Sequence, residues 1–252
     1  MIKRVIHTAI TLAVLLVSCR QDDLPDSMPT AHEGYVALRF SADIPAMQEV
    51  VTRSVDPDGG GVQDMTLFCF DSYGLFTTTV EAKVTPTGNG AGLTGNFEAE
   101  VPENTRTVHF LANQNMSEFK EDKFRNKSEA EVMALLEGSS GRMIYWARFT
   151  CDPDNDSKID AQMADKGNAI KMIRNHAQVS IDNPINGWIE VTGFVAYNTN
   201  AFGTVAPYHP EKGFDFEWPG EDDPFVTLPQ NDARMSDITD VTTATKQYIF
   251  ES

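Results

Sequence analysis

The strongest constraint on this chain is a pair of short β-forming runs joined by a four-residue turn. Val62 to Phe70 alternates, with Met65, Leu67 and Cys69 on one face and Thr66, Phe68 and Phe70 on the other. Asp71-Ser72-Tyr73-Gly74 is a tight turn, and Leu75 to Val84 returns as a second strand rich in Thr and Val. The same punctuation recurs along the chain. Tyr35 to Phe40 reads as a strand closed by Pro45, and Asn96–Val101 and Thr105–Ala112 as two more joined by Pro102-Glu103-Asn104. Met143–Phe149, Ile170–Ile181, Gly187–Tyr197 and the terminal run Tyr248–Ser252 complete the set, while Phe202–Tyr208 reads as a turn-rich connection. Only one helix is convincing: Ser128 is a fitting N-cap, Glu131 its capping-box partner, and the helix runs through Leu136. Short strands at this spacing predict a mostly β chain with β-sandwich architecture and one short helix.

The N-terminus carries a different signal. Lys3 and Arg4 precede a mostly apolar run from Val5 to Val17, which is far shorter than the ~20 residues that span a bilayer. The run ends at Leu16-Val17-Ser18-Cys19, which resembles the lipobox at which bacterial lipoproteins are acylated on the new N-terminal cysteine. Residues 1–18 are therefore expected to be a lipoprotein signal peptide, and Cys19 the lipidation site. A secretory signal that happens to end at a cysteine is the plainer alternative. Acyl chains contribute ~0.8 kcal/mol per buried CH₂, so several on Cys19 hold a protein firmly to outer-membrane lipid. Residues 19–34, with Pro25 and Pro29, read as a tether, and the acidic pair Asp22-Asp23 resembles the tract that sends Bacteroidetes lipoproteins to the cell surface.

The chain has 252 residues and a formal charge of −17, which becomes −19 once Lys3 and Arg4 leave with the signal. Such a balance argues against nucleic-acid partners, which need basic patches. The strands predict an N-terminal β-sandwich domain over 35–168 and a C-terminal one over 169–252. The second has only about 80 residues, so it is expected to be partial.

Candidate chemistry is sparse. Asp152, Asp154 and Asp156 occupy positions 1, 3 and 5 of a calcium loop, with Asp160 at position 9. Ser157 and Met163 stand where the loop wants Gly and Glu, so a solvated turn beside Pro153 is the favoured reading. Glu221-Asp222-Asp223 likewise reads as an exposed acidic loop. His109 and His176 lie within predicted strands, where a satisfied histidine is commoner than a catalyst. No zinc-protease or serine-hydrolase motif occurs, and the Gly88–Gly95 loop lacks the Lys-Ser/Thr of a phosphate loop. An enzyme is not expected, nor is a cofactor. Trp146, Trp188 and Trp218 with Tyr145, Tyr197 and Tyr208 offer a candidate glycan-binding face, against core packing as the simpler role. Cys69 and Cys151 either pair or remain as core thiols.

Four motifs carry a resemblance over most of the chain. Gly61-Val62-Gln63-Asp64-Met65-Thr66-Leu67-Phe68-Cys69-Phe70-Asp71-Ser72-Tyr73-Gly74 resembles the opening of the Bacteroidetes fimbrillin-like proteins. Thr107-Val108-His109-Phe110-Leu111-Ala112-Asn113 resembles their next marker, an apolar strand closed by Ala-Asn. Ile173-Arg174-Asn175-His176-Ala177-Gln178-Val179 resembles the strand that begins their C-terminal domain, with Gln178 in place of a basic residue. Gly203-Thr204-Val205-Ala206-Pro207-Tyr208 is also similar to this group. The resemblance implies transthyretin-like β-sandwich domains and a structural subunit of a surface pilus, or fimbrium, exported as a lipoprotein. It implies assembly with other pilus subunits by donor-strand exchange, triggered when a protease cuts after an arginine. Arg53, followed by Ser54, is the matching position. A pilus anchor, or a free-standing surface lipoprotein that binds a glycan or a host ligand, is the alternative.

Overall fold

The computed structural model describes residues 31–43, 62–86, 95–117, 119–139, 143–180, 202–207, 213–214 and 246–250. In chain order its strands are β1 (Tyr35–Asp43), β2 (Met65–Phe70), β3 (Phe76–Glu81), β4 (Lys83–Pro86), β5 (Gly95–Pro102) and β6 (Thr107–Ala112). A single 3₁₀ turn (Glu121–Lys123), α1 (Glu129–Ala134) and β7 (Glu137–Ser139) precede β8 (Tyr145–Thr150) and α2 (Ile159–Asp165). Next come β9 (Ala169–Lys171), β10 (Ile173–Arg174), β11 (His176–Ser180), β12 (Phe202–Thr204) and β13 (Lys246–Phe250).

Two sheets face each other, one in the order β4-β5-β1-β9 and the other β10-β8-β6-β2-β3, so the chain is mostly β with a sandwich at its centre. All pairings within them are antiparallel except β1 with β9. Between the sheets lie Leu38 and Phe40 of β1, Phe97 and Val101 of β5, Leu67 and Cys69 of β2, and Val108 and Phe110 of β6. A second apolar cluster covers the other face of the five-stranded sheet. There Phe68, Phe70, Leu111 and Trp146 meet Phe124, Val132 and Leu136 around α1, together with Val205, Ala206 and Phe214. Every side chain of β2 and β6 is consequently buried.

Both flanks of the sandwich are closed by strands that change sheets. Only Ala82 separates β3 from β4, and only Met172 separates β9 from β10. The predicted single strands Leu75–Val84 and Ile170–Ile181 are accordingly divided, the second into β9, β10 and β11. The expected domain boundary between residues 168 and 169 falls inside this sandwich, because β9 pairs with β1 and β10 with β8. Beyond it, β11 pairs with β13, and β12 pairs with β7 rather than forming a simple connection.

The capping box forms as read. Ser128 Oγ accepts from the Glu131 amide and Glu131 returns a bond to the Ser128 amide. A second helix, α2, joins it without a side-chain cap, held by Ile159 and Met163, which reach the core one turn apart. Asn113 adopts φ 64°, a conformation Asn tolerates better than most residues. Its amide oxygen accepts from the Gln63 backbone at 2.8 Å, and its amide nitrogen donates to the Met143 carbonyl at 3.2 Å. One side chain thus ties the starts of β2 and β8 to the end of β6. No helix among the described residues is long and apolar enough to cross a membrane.

Burial on both faces of β2 is testable. Leu67→Ala and Phe68→Ala point to opposite sides, and each should lower the unfolding free energy in urea by about 2–5 kcal/mol. A loss below about 1 kcal/mol for Phe68→Ala would mean the second layer does not seal that face.

Candidate functional site

Strand β1 alternates with unusual regularity. Val36, Leu38, Phe40 and Ala42 are buried, while Ala37, Arg39 and Ser41 between them face outward and are half-buried. The register against β5 sets Val36 opposite Val101, Leu38 opposite Ala99 and Phe40 opposite Phe97. The Phe40 ring stacks on Phe97 at 5.4 Å and 14°, and meets the Phe110 ring edge-on at 4.9 Å. At its C-terminal end β1 turns to its other neighbour, with Ala42 opposite Ile170 of β9 in parallel register. Two further backbone bonds fasten this end: the Ser41 amide donates to the Asn168 carbonyl, and the Met172 amide to the Asp43 carbonyl. On the outer face Arg39 pairs with Glu98 at 3.2 Å, and His32 bonds Glu100. β1 is therefore a core strand, with β5 along one side and β9 at one end of the other.

Its place in the chain differs from that of its neighbours. Every other described strand begins at Met65 or later. Residues 44–64 separate β1 from β2 and contain Arg53 and Ser54, which lie outside the described residues, as does Cys19.

The predicted strand histidine His109 is satisfied, and by partners that sequence spacing did not reveal. Its Nδ1 accepts from the Trp146 indole at 2.9 Å, so Nε2 carries the proton and donates to the Glu129 carboxylate at 2.6 Å. Arg148 donates to the same carboxylate through Nε and Nη2, and its guanidinium lies 5.9 Å from the Phe214 ring centre. Phe70, Trp146 and Phe214 rings surround the imidazole. Burial pushes His109 below its ordinary value, against the Glu129 carboxylate, which would raise it. Burial by itself would raise Glu129, but hydrogen bonds from His109 and Arg148 outweigh it and hold the carboxyl at about 2. With both nitrogens engaged, the ring fastens α1 and Phe214 to the sheet.

The remaining candidates resolve simply. Asp152 Oδ1 accepts from the Asp154 amide, and Asn155 Oδ1 from the Ser157 amide, which are turn contacts. Gln162 of α2 reaches back to the Asp152 amide and to the Asn155 and Ser157 carbonyls, so the loop is knit by its own helix. Among the described residues no group of three or more His, Cys, Asp or Glu side chains is placed to hold a metal ion, Asp152, Asp154 and Asp156 included. Tyr145 and Trp146 are core residues at 1% and 6% exposure, which removes them from any glycan-binding face. Trp188, Trp218, Tyr197 and Tyr208 lie outside the described residues.

Cys69 and Cys151 are both free and buried. Cys69 pairs with Val108, which pairs with Phe149, so the cysteines sit two strands apart in the sheet. Strands are spaced by about 4.8 Å, which puts the pair beyond the ~7 Å reach of a disulfide. Burial pushes the Cys69 thiol up to about 12, and raises Cys151 as well, so neither is a ready nucleophile.

No protein-family model matches the chain, and no curated protein matches it. Among solved structures it is similar to a fimbrial assembly protein from Parabacteroides distasonis, at 12% identity and a TM-score of 0.42, over 86% of this chain and 78% of that one. It is similar also to the tip fimbrial protein Mfa3 from Porphyromonas gingivalis, at 15% identity and a TM-score of 0.44, over 86% of this chain and 68% of that one.

The buried network makes stability depend on pH in a defined direction. Both His109 and Glu129 have folded values below their unfolded ones, near 6.5 and 4.5, so the unfolded chain binds more protons. The contribution of His109 is complete above pH 6.5 and fades as pH falls below it. That of Glu129 is complete above 4.5 and is lost on the way down to about 2. Urea midpoints should therefore fall steadily on acidification below pH 6.5, and Glu129→Gln should lower the neutral value while flattening the slope below pH 4.5. An unchanged slope in that variant would remove Glu129 from the account.

Proposed function

We infer that the chain is the precursor of a surface pilus subunit, exported as a lipoprotein, and that β1 is the strand it surrenders on assembly. The observation that carries this reading is the position of β1. It supplies buried side chains at Val36, Leu38, Phe40 and Ala42, yet it is the only described strand on the N-terminal side of Arg53. One cut after Arg53 therefore severs it from the rest of the sandwich while leaving the sandwich itself unbroken. The order of the four sequence motifs that resemble the fimbrillin-like proteins supports the same reading.

The physics of such a cut is plain. While the chain is whole, β1 is tethered beside its own groove at high effective concentration. After the cut it is held by noncovalent contacts alone, and lipid on Cys19 departs with it. An empty groove is strongly disfavoured, since burying each Val, Leu or Phe side chain is worth about 1.5–3 kcal/mol. An extended segment from another subunit can fill it by β-augmentation, restoring both the ladder with β5 and the apolar contacts. Acylated Cys19 holds the precursor at the outer membrane until then. The chain acts in this reading as a building block and not as an enzyme, and the residues that follow the sandwich belong to a second domain.

Two substitutions test the scheme at separate steps. Cys19→Ala should abolish labelling by a fatty-acid probe and leave the chain off the membrane. Arg53→Ala should preserve export, labelling and folding while abolishing incorporation into fibres. Fibres of normal yield from that variant, or a mature N-terminus other than Ser54, would reject the release step.

A further inference from the structure

We propose that the β1 groove selects its occupant by an aromatic side chain at the Phe40 position followed two residues later by a small one. This rests on the exchange reading above and adds to it the chemistry of the partner strand. The four inward sites of β1 are not equivalent. Leu38 faces the small Ala99 and the small Ala42 faces Ile170, so at these two sites a large side chain meets a small one, whereas Phe40 faces the equally large Phe97. Phe40 alone is held by two rings, stacked on Phe97 at 5.4 Å and met edge-on by Phe110 at 4.9 Å. Aromatic pairs in these geometries contribute beyond their buried area. A close-packed core tolerates neither a hole nor excess volume at such a site.

This pattern also sets register and direction. A slip of one residue would turn Ala37, Arg39 and Ser41 inward, placing a guanidinium in the core. A slip of two would carry the aromatic ring either to the Leu38 site or to the Ala42 site, against Ile170. Direction is fixed because the occupant must run antiparallel to β5 and parallel to β9 at once. The partner is therefore an extended segment reading aliphatic, aliphatic, aromatic and small at alternate positions, with polar residues tolerated between them.

The test uses the full chain cut once after residue 53 and a fluorescent synthetic peptide with the sequence of residues 34–44. The peptide should displace the resident strand, or enter when the cut chain is refolded in its presence. A peptide carrying Phe40→Ala should bind about a hundredfold or more weakly, the loss expected for emptying a buried phenylalanine site. One carrying Ala42→Phe should also lose at least about tenfold, through overpacking. In a cut chain bearing Phe97→Ala the penalty for Phe40→Ala should shrink, because the two rings are coupled. If the Phe40→Ala peptide binds as tightly as the parent, aromatic selection is overturned and exchange survives. An Ala42→Phe peptide that binds as tightly as the parent overturns selection at the small site. If the parent peptide enters neither the cut chain nor the refolding one, the exchange reading fails and takes the selection rule with it.

Discussion

The structure depends above all on β2 and β6 having no outward face. In a plain two-layer sandwich each strand gives one row of side chains to the core and one to water. Here Phe68, Phe70, His109 and Leu111 point away from the inter-sheet core and are still buried. A strand covered on both sides needs a second layer, and Phe124, α1 with Leu136, and Val205, Ala206 and Phe214 supply it. The one ionisable group on that hidden face, His109, must then be satisfied locally. Trp146, Glu129 and Arg148 meet that demand.

What was legible in the sequence follows the same division between local and distant forces. The alternation of Met65, Leu67 and Cys69 against Thr66, Phe68 and Phe70 is a local property, and the two sets do part to opposite sides. So is the Ser128 to Glu131 capping box, which forms where it was read. The limits of Leu75–Val84 and Ile170–Ile181 were not legible, because a change of sheet at Ala82 or Met172 is decided by what lies across the sandwich. Helix α2 escaped for a similar reason: it has no cap, and its only helical signal is Ile159 with Met163. At the buried network, the strand position of His109 was readable, but not its union with Glu129, twenty residues on, and Arg148 on another strand. The nearest local hint was Glu129 at the first turn of a capped helix. For β1 the balance is reversed. The alternation of β1 could be read directly, although the strand proves longer than Tyr35–Phe40, ending at Asp43.

The flanks complete the logic of the sandwich. An open sheet edge is a liability, and both sheets avoid long ones by handing a strand across through a single residue. On the β3 side, the half-buried Thr78 and Thr79 receive a further cover from Glu121, whose carboxylate accepts from the Thr78 hydroxyl and the Thr79 amide. On the opposite side, among the described residues, β9 has β1 as its one strand partner. The integrity of that flank is therefore tied to the occupancy of a single neighbouring position.

The seven-residue register between β1 and β5 has a mechanical consequence. Backbone bonds in an antiparallel ladder run across the strands, so tension applied along β1 bears on all seven pairings together, in shear. A pull across the sheet would instead part them one after another, like a zip. Whatever strand lies in that position is anchored most firmly against load directed along its own length.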